Sequence, residues 1–379
     1  MRIGYITHAN TLTGASRSLI DIIVHMGEYG NEPIVFVRQD GNLTEELDRL
    51  HIEWHRVRYA MTLSNNDGKW WRDAAKRALY WPGVSALCKQ LKTLQIDVVH
   101  NNSLLYDGGM AAAKKLGLPY VCHIREFMQE DHGLQFLHES RTRTLATQSD
   151  AAIAISQAIA KKYADWFSND KLIVLPDGLD IDTYRMDHGP LLEGPICRLL
   201  LPGRIAPGKG QLDAIRAVGV LRARGLNIAL TIVGGQDKEG AYARQCISYI
   251  QEHGLESIVE MREFVNDLTE LKQAADITLT CSRSEALGRV TVEGMLCGTL
   301  VIGANSGATP EIIEDSVSGL LYESGNVEDL ADKIQWAIES PDVARKLAIT
   351  GQRSAAEKYS VEAYNQRLAS IYQEIYAQS

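Results

Sequence analysis

Short runs rich in β-branched residues recur along this chain, and longer stretches with helical periodicity separate them. The runs at 3–6, 34–37, 97–100, 120–123, 152–155 and 172–175 form one series, and those at 198–201, 228–233, 277–280 and 299–302 form a second. Parallel strands need a long crossover, usually a helix, so strand and helix in alternation predict a parallel sheet covered by helices on both faces. Two series predict two doubly wound, Rossmann-like α/β domains. Length agrees, because 379 residues exceed the size at which one hydrophobic core usually stops growing. Between the series, 180–197 carries Gly189, Pro190, Gly194 and Pro195 without a clear period, as a linker does. A boundary near residue 190 is expected, giving domains 1–190 and 191–379, with a return of the last helix (about 360–376) to the first domain left open.

Composition narrows the function classes. With 45% hydrophobic and 23% charged residues the chain is apolar enough to pack a core. Its net charge of -9, from 39 Lys and Arg against 48 Asp and Glu, excludes a general nucleic-acid-binding surface. The six cysteines are scattered, without a Cys-x-x-Cys pair, and are expected as reduced, mostly buried thiols of a cytosolic protein. The start of the chain is too polar for a signal peptide, and no run reaches the length of a membrane span. The expected location is therefore cytoplasmic, either free or peripheral on the inner membrane face.

Chemistry gathers after two strands of the second series. The stretch 199–210, LLLPGRIAPGKG, runs an apolar strand into a Gly-rich turn with Arg204 and Lys209. Phosphates are met in this way at the end of a parallel strand. Gly203, Gly208 and Lys209 fit the spacing of a P-loop, but Gly210 stands where that motif needs a hydroxyl for magnesium. In 282–295, SRSEALGRVTVEGM, a strand gives way to a turn at Gly288 and then a helix. The N–H groups of Gly288, Arg289 and Val290 would open that helix, where unsatisfied donors and the helix dipole favour a diphosphate. Glu293 can accept from a vicinal diol such as ribose, and Glu285 can reach hydroxyls of a sugar beyond the phosphates. The plainer alternative makes Glu293 a capping or solvated helix residue.

These motifs occur in an order that closely resembles the family-four class of retaining glycosyltransferases, whose two-Rossmann-domain architecture is called GT-B. The resemblance covers most of the chain. It begins with Thr13-Gly14-Ala15 and continues through 97–100 (DVVH), 175–180 (LPDGLD), Gly203-Arg204 with Lys209-Gly210, 232–235 (IVGG), Glu285 to Glu293, and 307–313 (GATPEII). It implies two domains facing across a cleft and a donor that is a UDP- or GDP-sugar. Arg204 and Lys209 would neutralise its diphosphate, Glu293 would bind its ribose and Glu285 would hold the transferred sugar. Gly234 belongs to the same nucleotide site, and Gly14 would face the phosphates from the N-terminal domain. His123, in 122–127 (CHIREF), matches a histidine that similar enzymes place against the donor sugar. Arg125 and Glu126 are left between pairing with each other and lining the acceptor side. Asp177 and Gly294 depart from a commoner Asn and Ala.

The resemblance further implies a hexosyltransferase that retains anomeric configuration. With both glutamates used in binding, the remaining route is front-face displacement, with Arg204, Lys209 and the helix N-terminus stabilising the departing diphosphate. These cations can replace a divalent metal, so no metal and no cofactor beyond the donor are expected. Alanine at Glu293 or Lys209 is expected to weaken donor binding and leave the fold intact. The acceptor is expected to be a glycan or a lipid-linked glycan of cell-envelope polysaccharide synthesis. The alternatives are a GT-B-type sugar-nucleotide epimerase and a transferase acting on a soluble small molecule. An NAD-linked oxidoreductase lacks its G-x-G-x-x-G, and a non-catalytic binding module leaves the donor motifs unexplained.

One segment bears on the acceptor. Residues 69–81, KWWRDAAKRALYW, form a basic amphipathic helix when placed at 100° per residue. Trp70, Trp71, Ala74, Ala75, Ala78, Leu79 and Trp81 fall on one side, and Lys69, Arg72, Lys76 and Arg77 on the other. Tryptophan with basic residues favours an anionic lipid interface, while packing of the tryptophans on the core is the competing expectation.

Overall fold

The computed structural model describes residues 1–12, 14–65, 68–167, 171–187, 189, 191–235, 240–265 and 267–379. Thr13 of the N-terminal motif and Pro190 of the linker lie outside them. The chain divides into two compact units, Met1–Asp180 with Ser360–Ser379, and Ile181–Tyr359. The first unit closes at Asp180, ahead of the 189–195 stretch whose composition predicts a linker. The cause is local. Leu179 bridges to Ser360, and the Val361 N–H donates to the Leu179 carbonyl at 3.0 Å, so the chain leaves and re-enters this unit at one point.

The first unit contains β1 (Arg2–Ile6), β2 (Glu32–Val37), β3 (Trp54–Arg56), β4 (Leu63–Ser64), β5 (Val98–Asn101), β6 (Tyr120–Ile124), β7 (Gln135–Phe136), β8 (Ala151–Ala154) and β9 (Leu172–Val174). Seven of them form a sheet in the order β3-β2-β1-β5-β6-β8-β9, parallel throughout, and β4 pairs antiparallel with β7. The inner strands β5, β6 and β8 are buried at every position, which explains their mostly apolar or small composition, broken only by the buried His100, Asn101 and His123. Ile3, Tyr5, Val35, Val98 and Ile153 of this sheet share a core with Leu368, Ile371, Tyr372 and Ile375. These last four belong to the helix Val361–Ala377, which therefore packs on the first unit.

The second unit contains β10 (Cys197–Pro202), β11 (Ile228–Val233), β12 (Val259–Arg262), β13 (Ile277–Thr280), β14 (Leu300–Ala304) and β15 (Leu320–Tyr322). They form one parallel sheet in the order β12-β11-β10-β13-β14-β15. Both sheets are thus doubly wound. Among the described residues all six cysteines are free and buried, and no helix is long and apolar enough to cross a membrane.

The helix expected over 69–81 runs further, as Trp70–Thr93, straight through Pro82. Proline removes one backbone donor, and burial of Gly83, Val84, Leu87, Cys88 and Leu91 in the following turns offsets that loss. The preceding turns stand out from the unit. Trp70 is 75% exposed, Trp71 55% and Trp81 59%, so these indoles do not pack on the core. Lys76 departs from the expected basic face, because its ammonium donates to the Leu63 carbonyl at 2.5 Å and lies 3.6 Å from Asp73.

Candidate functional site

In the second sheet the direction of winding reverses between β10 and β13, which lie side by side with Leu199 opposite Ile277. The loops that follow these two strands leave from one place, where open α/β sheets bind ligands. After β10 the chain passes Gly203 and Arg204, makes a turn at Pro207–Lys209 and enters the helix Gln211–Ala223. After β13 it passes Glu285 and Gly288 and enters the helix Arg289–Leu296. The two loops are joined by the Arg283 N–H, which donates to the Gly208 carbonyl at 2.9 Å. Gly210 has φ +68°, and a Cβ there would come 2.1 Å from the Cys281 carbonyl oxygen. The position that would carry a magnesium-binding hydroxyl in a P-loop is therefore a packing contact in this fold, and only glycine fits it.

This contact brings Lys209 and Glu285 together, with the ammonium 2.7 Å from the carboxylate. The backbone of Glu285 is supported from β14. Its carbonyl accepts from the Ala308 N–H at 2.8 Å, and Gly307, at φ +55°, lies so close that a Cβ would be 2.5 Å from the Glu285 nitrogen. The 307–313 motif thus shapes the loop that presents Glu285. Arg204, in the same loop as Lys209, is exposed, and its carbonyl accepts from the buried Gln211 amide at 3.0 Å. Gly234 packs against the Gly203 carbonyl, which aligns the turns after β10 and β11. Gly288 precedes the helix, and the Thr291 N–H donates to its carbonyl at 2.8 Å. The N–H groups of Arg289 and Val290 belong to the helix's first turn.

Glu293 is neither a cap nor solvated. It is buried, its Oε1 accepts from Arg289 Nε at 2.8 Å, and its Oε2 accepts from Lys272 Nζ at 3.0 Å. Arg289 also donates to the Tyr184 hydroxyl at 2.7 Å. Burial pushes the Glu293 carboxyl up, but Lys272 and Arg289 outweigh it and hold the group below its ordinary value. The expectation that alanine at Glu293 leaves the fold intact is therefore corrected. Removing it strands two buried cations, which costs about 3–5 kcal/mol. Neither Lys272 nor Tyr184 was legible as part of this site. The available signal was that Lys272 stands four residues after Leu268 and next to Leu271, where helical periodicity calls for an apolar side chain.

In the first unit, Gly14 is exposed at the first position of the helix Gly14–Val24. His123, at the end of β6, has no exposed surface. Its Nδ1 lies 3.1 Å from His100 Nε2 and 3.3 Å from Arg125 Nη2, and His100 continues to the Tyr372 hydroxyl at 2.7 Å. Burial, reinforced by Arg125 and His100, pushes the His123 imidazole well below its ordinary value, so it is neutral. Because Arg125 can only donate, Nδ1 accepts and the ring proton sits on Nε2. That atom faces Asp177 Oδ1 at 4.0 Å, and neither has a hydrogen-bond partner among the described residues. Arg125 pairs with Asp177, both buried, while Glu126 accepts from the Ser103 hydroxyl at 2.8 Å. Arg125 thus takes Asp177 as its close ion-pair partner, and Glu126 adds to the negative charge around it. The departure from Asn at 177 supplies the counter-ion for a buried arginine.

The string Asp180-Ile181-Asp182 has Asp-x-Asp spacing, yet among the described residues no three carboxylates, histidines or cysteines converge as metal ligands would.

Residues 12–183 match the family model described as Glycosyltransferase Family 4, and residues 197–354 match that of Glycosyl transferases group 1. A D-inositol 3-phosphate glycosyltransferase of Saccharomonospora viridis is 31% identical over 186 residues, 47% of this chain and 43% of the relative. An MMP alpha-(1->4)-mannosyltransferase of Mycolicibacterium hassiacum is 24% identical over 301 residues, 74% of this chain and 71% of the relative. The matched stretches span about half the length of the first curated relatives, 43% and 53%. Among solved structures, Anabaena Alr3699/HepE in complex with UDP superposes with a TM-score of 0.84 at 23% identity, covering 99% of this chain and 100% of that one. At that identity the likeness establishes the fold, two Rossmann-like domains of the GT-B class.

The Glu293 clamp has a pH signature. A carboxyl held below its ordinary value of 4.5 stabilises the fold fully above that value, and the contribution is lost as pH falls through the depressed one. Glu293→Gln is expected to lower Tm at neutral pH, with the deficit narrowing as pH falls below 4.5. Thermal melts across that range check this, and a deficit that does not depend on pH contradicts it.

Proposed function

Because the chain belongs to glycosyltransferase family four, we propose that it transfers a hexose, with retention, from a UDP- or GDP-sugar to a glycan or lipid-linked acceptor of cell-envelope polysaccharide synthesis. The observation that carries the donor assignment is the meeting of Lys209, Glu285 and the Arg289–Leu296 N-terminus at the reversal point of the second sheet. Lys209 and Arg204 meet the diphosphate, the first-turn N–H groups share its charge, and Glu293 accepts from the ribose. Glu285 leaves its pairing with Lys209 in part to hold the transferred sugar. Retention without a covalent intermediate is supported by the partners of the two glutamates. Glu293 is held by Lys272 and Arg289 for the ribose and Glu285 is given to the hydroxyls of the sugar, so both glutamates are used in binding and neither is assigned the nucleophile's role that retaining glycosidases use. The cations take the place of a divalent metal. Acceptor-dependent release of nucleotide diphosphate, undiminished by EDTA, separates this activity from an epimerase, which needs no acceptor.

The acceptor side of the proposal rests on the helix Trp70–Thr93. Its exposed Trp70, Trp71 and Trp81, with Lys69, Arg72 and Arg77 among them, suit a surface of anionic lipid. Docking there would place the enzyme on the inner membrane face, beside a lipid-linked acceptor.

Two outcomes are expected. In a screen of UDP- and GDP-sugars by thermal shift and calorimetry, one donor stabilises the protein, and Lys209→Ala weakens its diphosphate by about 1.5–3 kcal/mol while melting cooperatively. No stabilising donor, or unchanged affinity in the variant, contradicts the donor site. Cosedimentation with anionic liposomes is expected to be strong at low salt, to weaken as salt rises, and to fall in Trp70→Ala with Trp71→Ala. Absent binding, or equal binding by the double variant, removes the membrane and favours a soluble acceptor.

A further inference from the structure

No motif in the sequence points to Lys272, yet its ammonium touches the carboxylate at the centre of the donor site. The side chain is 6% exposed, which a lysine tolerates only with a counter-ion in place. Its partner Glu293 has about four lone-pair directions on its two oxygens. Lys272 occupies one on Oε2, and Arg289 occupies one on Oε1. Among the described residues no other group bonds either oxygen, which leaves one acceptor direction on each, and two neighbouring acceptors suit two vicinal hydroxyls. Both cations are themselves held. Lys272 Nζ lies 5.0 Å and Arg289 Cζ 5.4 Å from the centre of the Tyr184 ring, whose hydroxyl accepts from Arg289. The Tyr184 carbonyl in turn accepts from the Cys297 thiol of the next turn of the Glu293 helix, at 3.3 Å.

We propose that Lys272 is a positioning residue for donor recognition, which, with Arg289 and Tyr184, fixes the Glu293 carboxylate so that its two remaining acceptors meet the 2′- and 3′-hydroxyls of the donor ribose. The inference deepens the assignment of Glu293 to the ribose and rests on it. An acceptor already locked in its bound orientation loses little freedom when the nucleotide arrives, so its hydrogen bonds appear in full as affinity and selectivity. With a neutral, shorter-reaching side chain at 272, Oε2 loses its anchor and the carboxylate turns toward Arg289. A purely structural Lys272 would affect melting temperature and leave selectivity for the ribose untouched.

The test is calorimetric titration of wild type, Lys272→Met and Lys272→Arg with UDP, GDP and their 2′-deoxy forms, with Tm recorded for each protein. Wild type is expected to prefer the ribonucleotide it binds over its 2′-deoxy form by about tenfold or more. In Lys272→Met that preference is expected to fall to within about threefold, mainly through loss of ribonucleotide affinity, and Lys272→Arg is expected to recover most of it. A full preference in Lys272→Met overturns the proposal even if its Tm has dropped. If that variant does not fold, Tyr184→Phe, which removes the hydroxyl anchoring Arg289, carries the same expectation, and an unchanged preference there overturns it equally. Wild type that binds neither diphosphate contradicts the donor site itself, whereas wild type that binds ribo and deoxy forms equally leaves the donor site standing and removes the role of Lys272.

Discussion

A parallel sheet wound outward from its middle leaves two neighbouring strand ends whose loops diverge, and the space between them is where backbone donors and side chains of distant segments can meet. In the second unit those strands are β10 and β13. The contact that closes the gap between their loops is the seating of Gly210 on the Cys281 carbonyl. Everything at the site depends on it. It sets Lys209 against Glu285, and it aligns the turn after β10 with the turn that opens the Arg289–Leu296 helix. A side chain at 210 would push the loops apart and separate the cation from the carboxylate.

Charge at the site is arranged in two depths. Lys209 and Glu285 are partly open to solvent, with side chains 32% and 16% exposed, and can exchange each other for a ligand at modest cost. Glu293, Lys272 and Arg289 are nearly closed off and cannot. Buried ion pairs of this kind add little net stability over an apolar replacement, but breaking one by removing a partner is expensive, so they fix geometry more than they strengthen the fold. The same logic operates in the first unit. Arg125 and Asp177 pair beside His123, and burial, reinforced by Arg125 and His100, keeps the imidazole uncharged.

Much of the fold was readable because buried parallel strands must be apolar on both faces. The runs at 228–233 and 277–280 coincide with β11 and β13. The strands that escaped notice include three at sheet edges, Trp54–Arg56 and Val259–Arg262, whose pattern is diluted by Glu, Arg and His, and Leu320–Tyr322, which is only three residues long, together with the two-residue pair Leu63–Ser64 and Gln135–Phe136. Motif residues on the β10 and β13 loops were legible because glycines and charges are conspicuous after an apolar run. Lys272 and Tyr184 were not, since a lysine at one apolar position of a short helix is a faint signal whose meaning comes from what it packs against, and the lone Tyr184 gives none. Asp177 looked like a neutral departure until Arg125, 52 positions earlier in the chain, proved to be its partner. The Trp-rich helix illustrates the converse. Its wheel fitted a buried and an exposed face equally well, and only the exposure of Trp70, Trp71 and Trp81 separates the two.

The central claim is that the reversal point of the second sheet binds the donor nucleotide, and a crystal structure of the protein with the UDP or GDP that stabilises it tests this most directly. The account predicts the diphosphate against the N–H groups of Gly288, Arg289 and Val290, with Lys209 and Arg204 on its oxygens and both ribose hydroxyls on Glu293. A nucleotide seated elsewhere, or a ribose turned away from Glu293 while Lys272 and Arg289 remain in place, would contradict it.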